Sequence, residues 1–387
     1  MMAALMSIVA ISIDAMLPAL GLIGADLRAV NDNQAQLVIS FIFAGMTIGQ
    51  LISGPLSDAI GRKKIVFYGL ALYFTGALIC LNATSMTMIF TGRFIQGLGV
   101  SGPFIASQSI VRDKYSGRAM ARILSLVMMI FIMVPAIAPA LGMGIIALAS
   151  WRAIFAFYIL YAAAIGFWLY RRLDETLAEE NRIPFRLSTF KHGLKTVFGN
   201  ATTMRYTVAV GCAFGAMIGY LTSIQQIYFD IYDLGDLFPL FFGLQALAFG
   251  ASSFINSRIV EKYGMRYIVL RIVLFICFLS AGLATVQLFT MPPFWIFFIF
   301  GICILFSIAM LFGNLNALAM EPMGQMAGIA AAIIGAVSSV IGISAGTLIG
   351  QLYNGTLFPM SIGFLCLGTI AILLILSDRN PVTTIVP

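Results

Sequence analysis

Charge is scarce in this sequence. Asp, Glu, Lys and Arg make up 10% of its 387 residues, where a soluble domain carries about 25%. So few charges cannot cover an aqueous surface. With 61% hydrophobic residues and a mean hydropathy of +1.01, the chain reads as an integral membrane protein. Histidine occurs once, as His192 in the polar middle of the chain, which excludes a histidine proton relay inside the membrane. The five cysteines, Cys80, Cys212, Cys277, Cys303 and Cys366, all lie in apolar runs without a C-x-x-C pair. They read as packing residues, and no metal site is expected. No G-x-x-x-x-G-K-S/T loop is present to hold a nucleotide, and no nucleophile sits with a base, so neither an ATP-driven pump nor an enzyme is indicated and no catalytic residue is assigned. A cleavable signal peptide is not expected either: the first apolar run has no basic residues ahead of it and is too long for a signal core. That run starts at Met2, which leaves room for a natural start a few residues upstream.

What is present is a series of apolar runs. Breaking the chain at charged and turn-rich stretches gives twelve, at 2–24, 34–56, 65–82, 86–109, 120–148, 152–170, 206–228, 238–258, 267–289, 294–316, 326–350 and 359–377. Most have about the twenty residues needed to cross a hydrocarbon core of about 30 Å as a helix. Placing the N-terminus in the cytoplasm puts nineteen of the twenty-two Lys and Arg in or beside cytoplasmic loops, at 57–64, 110–122, 171–205, 258–271 and the tail. The exceptions are Arg28, Arg93 and Arg152. This positive-inside bias accounts for the net charge of +7 and gives no argument for nucleic-acid binding. The expected fold is an all-α membrane protein of twelve transmembrane helices in two pseudo-symmetric six-helix bundles, 1–170 and 206–378. They are joined by a cytoplasmic linker, 171–205, and followed by a cytoplasmic tail, 379–387. The linker stretch RIPFRLSTFKHGLK is a candidate interfacial helix. GPLSDAIGRK at 54–63 aligns with SRIVEKYGMR at 257–266, setting Asp58 on Glu261 and Gly61 on Gly264, as in a parallel transporter repeat.

One acid lies deep in these runs. Asp14 sits in MMAALMSIVAISIDAMLPALGLIG, where the other polar side chains are two serines, and an intramembrane acid is costly and usually functional. Arg93, in the fourth run, falls at a similar depth at about 1.5 Å per residue. The two either form a static ion pair or regulate each other, because an uncompensated buried charge costs several kcal/mol. A proton carrier must lose and regain its proton; burial favours the neutral acid and a nearby guanidinium the ionised one. Asp14 is read as the proton site, one proton per cycle. Gln96, one turn from Arg93, is a candidate cavity residue or an interhelical hydrogen-bonder. Gln245 and Tyr220 are cavity candidates in the second half. GPLSDAIGRKK must turn at the surface, where Asp58 pairs with a cation or accepts from a helix N-terminus, while Arg62, Lys63 and Lys64 anchor the loop on the cytoplasmic side. Pro135 and Pro139, followed by Gly142, suggest a bend in the fifth helix.

GPLSDAIGRKK followed by RFIQGLGVSGP at 93–103 resembles the paired signature motifs of the major facilitator superfamily. SIDAMLPAL, VRD at 111–113, VPAIAPALG at 134–142 and EPMGQMAG at 321–328 resemble its bicyclomycin and chloramphenicol resistance branch of drug:proton antiporters. The resemblance covers the chain except the middle loop and tail. It implies that Asp14 is the protonation site and Arg93 its electrostatic regulator. It also implies that Gly54, Asp58, Gly61 and Arg62, with Arg112 and Asp113, form a latch for the outward-facing state, and that Pro135, Pro139 and Gly142 belong to the antiporter motif. The family's double glycine there reads Gly142-Met143. The tenth helix has no arginine to match Arg93, and Glu321 at its end reads as a cap or interface residue.

The favoured expectation is a proton-coupled exporter of small amphipathic compounds, a monomer in the bacterial inner membrane with both termini cytoplasmic. Its partners are substrate, protons and lipid, and the proton gradient takes the place of a cofactor. The alternatives are a specific proton-coupled transporter of a metabolite such as an amino acid or siderophore, and a non-transporting receptor, which the lack of a signalling domain disfavours.

Overall fold

A backbone surrounded by lipid must satisfy its N–H and C=O groups internally, which leaves the helix as the solution for apolar runs of this length. In the computed structural model, which describes residues 1–182 and 187–378, all twelve runs are helical and no strand occurs among the described residues. The expected tail, 379–387, and residues 183–186 of the linker lie outside the described residues.

The first run holds two helices, α1 (Met2–Asp14) and α2 (Leu20–Asp26), separated by a short 3-10 turn at Leu17–Ala19. The cause is Pro18, which has no N–H to offer the carbonyl of Asp14. The first crossing is therefore not a uniform α-helix: directly after the acid the ladder is interrupted and the backbone tightens to 3-10, with Ala15, Met16, Ala19 and Leu20 still in the right-handed helical region. There follow α3 (Leu37–Ile60), α4 (Arg62–Leu81), α5 (Met86–Lys114), α6 (Gly117–Leu148) and α7 (Trp151–Arg172). The linker contains α8 (Leu187–Gly199), and the second run of six is α9 (Ala201–Gln226), α10 (Phe238–Tyr263), α11 (Met265–Gln287), α12 (Phe294–Met320), α13 (Ala327–Gln351) and α14 (Phe358–Ser377). Among the described residues, ten spans are long and apolar enough to cross a membrane. α5 has the length, but Arg93, Gln96 and several serines and threonines dilute its hydropathy, and in α6 the described apolar stretch is Met133–Leu148.

The chain divides into two compact units, Met1–Arg186 with Gly235–Gly243, and Leu187–Leu234 with Leu244–Pro387. Within the first, α1 packs on α5, α6 and α7; within the second, α9 packs on α12, α13 and α14, the helices at corresponding positions. The aligned turns also correspond. Gly61 (φ 106°, ψ 155°) and Gly264 (φ 76°, ψ 153°) adopt the same left-handed extended conformation between helices, one that glycine accepts and residues with a Cβ resist. The linker helix α8 belongs to the second unit. Its Gly193 and Val197 are buried, a Cβ on Gly193 would overlap Ile329 of α13, and Lys191, His192 and Lys195 are exposed.

Candidate functional site

Asp14 ends α1 with its side chain buried, and among the described residues its carboxyl forms no hydrogen bond and no ion pair. Arg93 is buried completely, yet it does not pair with the acid. Its guanidinium donates to the carbonyl of Ser12 at 2.8 Å, to that of Val38 in α3 at 3.3 Å and to Oε1 of Gln96 at 3.1 Å. The static Asp14–Arg93 ion pair weighed from sequence is therefore not formed.

The reason lies in the helix break. α1 stops at Asp14, so the last backbone bond of its ladder runs from the Ala15 N–H to the Ile11 carbonyl. The Ser12 carbonyl receives no backbone donor among the described residues. A helix C-terminus carries partial negative charge and orphan carbonyls, and Arg93 caps it. Tyr158 of α7 adds a second donor, with its hydroxyl 3.1 Å from the Ile11 carbonyl and 3.4 Å from that of Ser12. Tyr73 of α4 shares a hydrogen bond with Ser12 Oγ at 2.6 Å, and Tyr161 one with Ser7 Oγ at 2.7 Å. These tyrosines were not legible as site residues: they sit in aromatic-rich runs that look like packing.

Gln96 faces Arg93 as its spacing suggested, and its Nε2 is buried without a partner among the described residues. Gly142 meets α1 at the acid. A Cβ there would overlap the carbonyl oxygen of Ala15, so glycine lets the backbone of α6 touch the residue after Asp14. α6 nevertheless remains one helix through Pro135 and Pro139.

The surface motif of the first unit forms a charge cluster. Arg62 pairs with Asp58, donates to Asp113 at 3.1 Å and to Ser57 Oγ at 3.0 Å, and Thr176 donates to the same Asp113 oxygen at 2.9 Å. Glu175, from the linker, accepts from the Arg62 and Lys63 backbone N–H groups at 2.9 and 3.2 Å, capping α4. Burial pushes the Glu175 carboxyl up, but backbone N–H groups of Leu177, Arg62, Lys63 and Thr176 outweigh it and hold the group below its ordinary range. Two sequence candidates stay outside this cluster. Among the described residues Arg112 reaches only Ser109 of its own helix, and Gly54 has open space around it. Glu175 was missed because four acids share its loop and nothing in the order of residues singles it out.

In the second unit the structure brings Tyr220 and Gln245 together. The tyrosine hydroxyl donates to Gln245 Oε1, whose amide donates to the Phe298 carbonyl at 3.2 Å, and both side chains are fully buried. They fill the space beside Gly301, the eighth residue of α12, just as Arg93 is the eighth residue of α5. No group of three or more metal-ligating side chains is present among the described residues.

Residues 2–347 of this chain match a known sequence family. The chain belongs to the Major Facilitator Superfamily. Among its relatives in that superfamily are an uncharacterized MFS-type transporter, YdgK, of Bacillus subtilis (strain 168), 32% identical over 361 residues, 90% of this chain and 87% of the relative. A bicyclomycin resistance protein homolog of Haemophilus influenzae is 31% identical over 354 residues, 90% of this chain and 87% of the relative. The fold is also that of the xylose transporter XylE from E. coli, with a TM-score of 0.72 at 15% identity, covering 98% of this chain and 96% of that one.

Proposed function

We propose that this Major Facilitator Superfamily transporter is a proton-driven exporter of small amphipathic drugs or metabolites. It works by alternating access, as a monomer in the bacterial inner membrane with both termini cytoplasmic, and the proton gradient supplies the energy without a cofactor. The observation that carries this reading is the buried Asp14 carboxyl, which lies without a counterion while the nearby Arg93 is satisfied by carbonyl oxygens. A buried carboxyl with no donors suits the neutral acid, since an ionised one needs compensation. Loss of the proton makes the guanidinium the natural counterion, and moving it from Ser12 to Asp14 changes what holds α1, α5 and α7 together. The Asp58–Arg62–Asp113 cluster acts as the conformational latch. Gln96, Tyr220 and Gln245 are the cavity candidates. The resistance protein homolog among the relatives favours drugs over a single nutrient.

The test uses everted vesicles with an acid interior, challenged with amphenicols, other small antibiotics, amino acids and siderophores. Collapse of the gradient with an amphenicol in the wild type and none in Asp14→Asn is the expected result. Collapse with amino acids or siderophores alone turns the reading to a dedicated metabolite transporter. An equal response in Asp14→Asn removes the acid from the coupling.

A further inference from the structure

The Ser12 carbonyl has two side-chain donors around it, and they are not equivalent. Arg93 Nη2 is at 2.8 Å; the Tyr158 hydroxyl is at 3.4 Å, closer to the Ile11 carbonyl at 3.1 Å. Ile11 already has the Ala15 N–H as donor at 3.1 Å, whereas Ser12 has no backbone donor among the described residues. If Arg93 leaves for an ionised Asp14, Ser12 is left with a buried orphan carbonyl while Ile11 keeps its partner. Unmade hydrogen bonds in a buried site are the expensive ones. A small turn of the Tyr158 hydroxyl closes that gap.

We propose that Tyr158 is a positioning residue that frees Arg93 to serve Asp14, its hydroxyl taking over the Ser12 carbonyl when the guanidinium leaves. The role rests on the reading of Asp14 as the proton site. The exchange balances with water as the proton acceptor: Asp14 gives its proton to water, Arg93 exchanges a carbonyl for the carboxylate, and Tyr158 exchanges Ile11 for Ser12 while keeping its own proton. The titratable and charged groups around it are Arg93 from α5, Tyr158 and Tyr161 from α7, and Tyr73 and Cys80 from α4. α3 brings the Val38 carbonyl, and α6 brings Gly142, with its described charged side chain, Arg122, in the first turns of the helix.

The experiment is an infrared titration of the purified full-length protein in lipid, following the carbonyl stretch of the protonated carboxyl that Asp14→Asn removes. Tyr158→Phe deletes one oxygen from a residue of the same shape. It makes the ionised state harder to reach, and the Asp14 titration midpoint moves about one pH unit toward alkaline, equivalent to about 1.4 kcal/mol. Tyr161→Phe, which loses a bond between the same two helices at Ser7, leaves the midpoint in place. An unmoved midpoint in Tyr158→Phe, or an equal shift in Tyr161→Phe, overturns the role of Tyr158. Absence of any titrating band lost in Asp14→Asn instead removes the proton site itself, so the two failures are told apart. Should Tyr158→Phe not fold, the wild type with ring-deuterated tyrosine serves: a tyrosine C–O band must shift in step with the Asp14 band, and a static one overturns the proposal.

Discussion

Gly61 and Gly264 close the same turn in the two bundles, but the groups that hold the turns differ in kind. Around Gly61 the partners are side-chain carboxylates, Asp58 and Asp113 on Arg62 and Glu175 on the start of α4. Around Gly264 the guanidinium of Arg266 donates to backbone carbonyls, those of Ile375 and Asp378 at 3.1 and 2.7 Å. Glu261, the partner of Asp58 in the repeat, forms no ion pair among the described residues. The same contrast recurs at depth: the eighth residue of α5 is a buried arginine, that of α12 a glycine covered by a neutral amide and phenol. Carboxylates respond to protons and charges; carbonyls and amides do not. One backbone plan thus sets carboxylates on the arginine of the first turn and carbonyls on that of the second, where the Asp378 carboxylate pairs with Arg205 instead, at 3.3 Å.

The sharpest way to break this contrast is at depth. Asp14→Asn should abolish uphill transport while downhill exchange persists, whereas Tyr220→Phe should leave the pH dependence of transport as it is; a pH profile displaced by Tyr220→Phe would place proton handling in both bundles. Next come the glycines. Gly142→Ala drives a methyl into the Ala15 carbonyl and should destabilise the protein by about 1–3 kcal/mol, read as a lower midpoint of thermal unfolding in detergent. Gly144→Ala, with open space around it, should change little. Gly61→Ala and Gly264→Ala both meet an extended backbone with positive φ at a cost of about 1–3 kcal/mol. Gly61→Ala should lower the midpoint further, since its Cβ also overlaps Glu175 while nothing stands near Gly264; equal losses would show that the cap on α4 is incidental.

The pH dependence of that cap gives a finer test. The Glu175 carboxyl is held below its ordinary value in the folded protein. Its contribution is therefore complete above the unfolded value of about 4.3 and disappears as pH falls through the lower folded value. Thermal stability scanned downward from neutral pH should show this loss in the wild type, and Glu175→Gln should remove that part of the slope. The smallest effect expected is the stability lost in Tyr220→Phe, about 1 kcal/mol for one buried hydrogen bond.

These contrasts were only partly visible in the order of residues. The helices were legible because apolar runs long enough for a bilayer have one backbone solution. Asp14 and Arg93 stood out as lone charges in such runs. Arg93's real partners did not, because a carbonyl oxygen has no letter in a sequence; depth alone suggested the carboxylate two residues beyond Ser12. Pro18 was there to be read, but membrane helices tolerate proline, and in α6 Pro135 and Pro139 leave the helix whole. The Asp58–Arg62 contact joins residues four apart across the Gly61 turn between α3 and α4, whereas Asp113 and Glu175 join it from distant segments. Tyr220 and Gln245 were expected to meet a ligand, and what the sequence could not reveal is that each is the other's partner.

The break after Asp14 has a mechanical consequence. Bending an intact helix stretches or severs rungs of its ladder, and each bond lost from a dry environment must be made up elsewhere. In the first crossing those rungs are already missing, since Pro18 has no N–H and side chains from α5 and α7 stand in for the backbone at Ser12. A change of angle between the segment before the acid and the segment after it would cost fewer backbone bonds than in an intact helix. The joint is then as stiff as its side-chain splints, and with Asp14 as the proposed proton site, the splint nearest the acid is the one a departing proton would pull away.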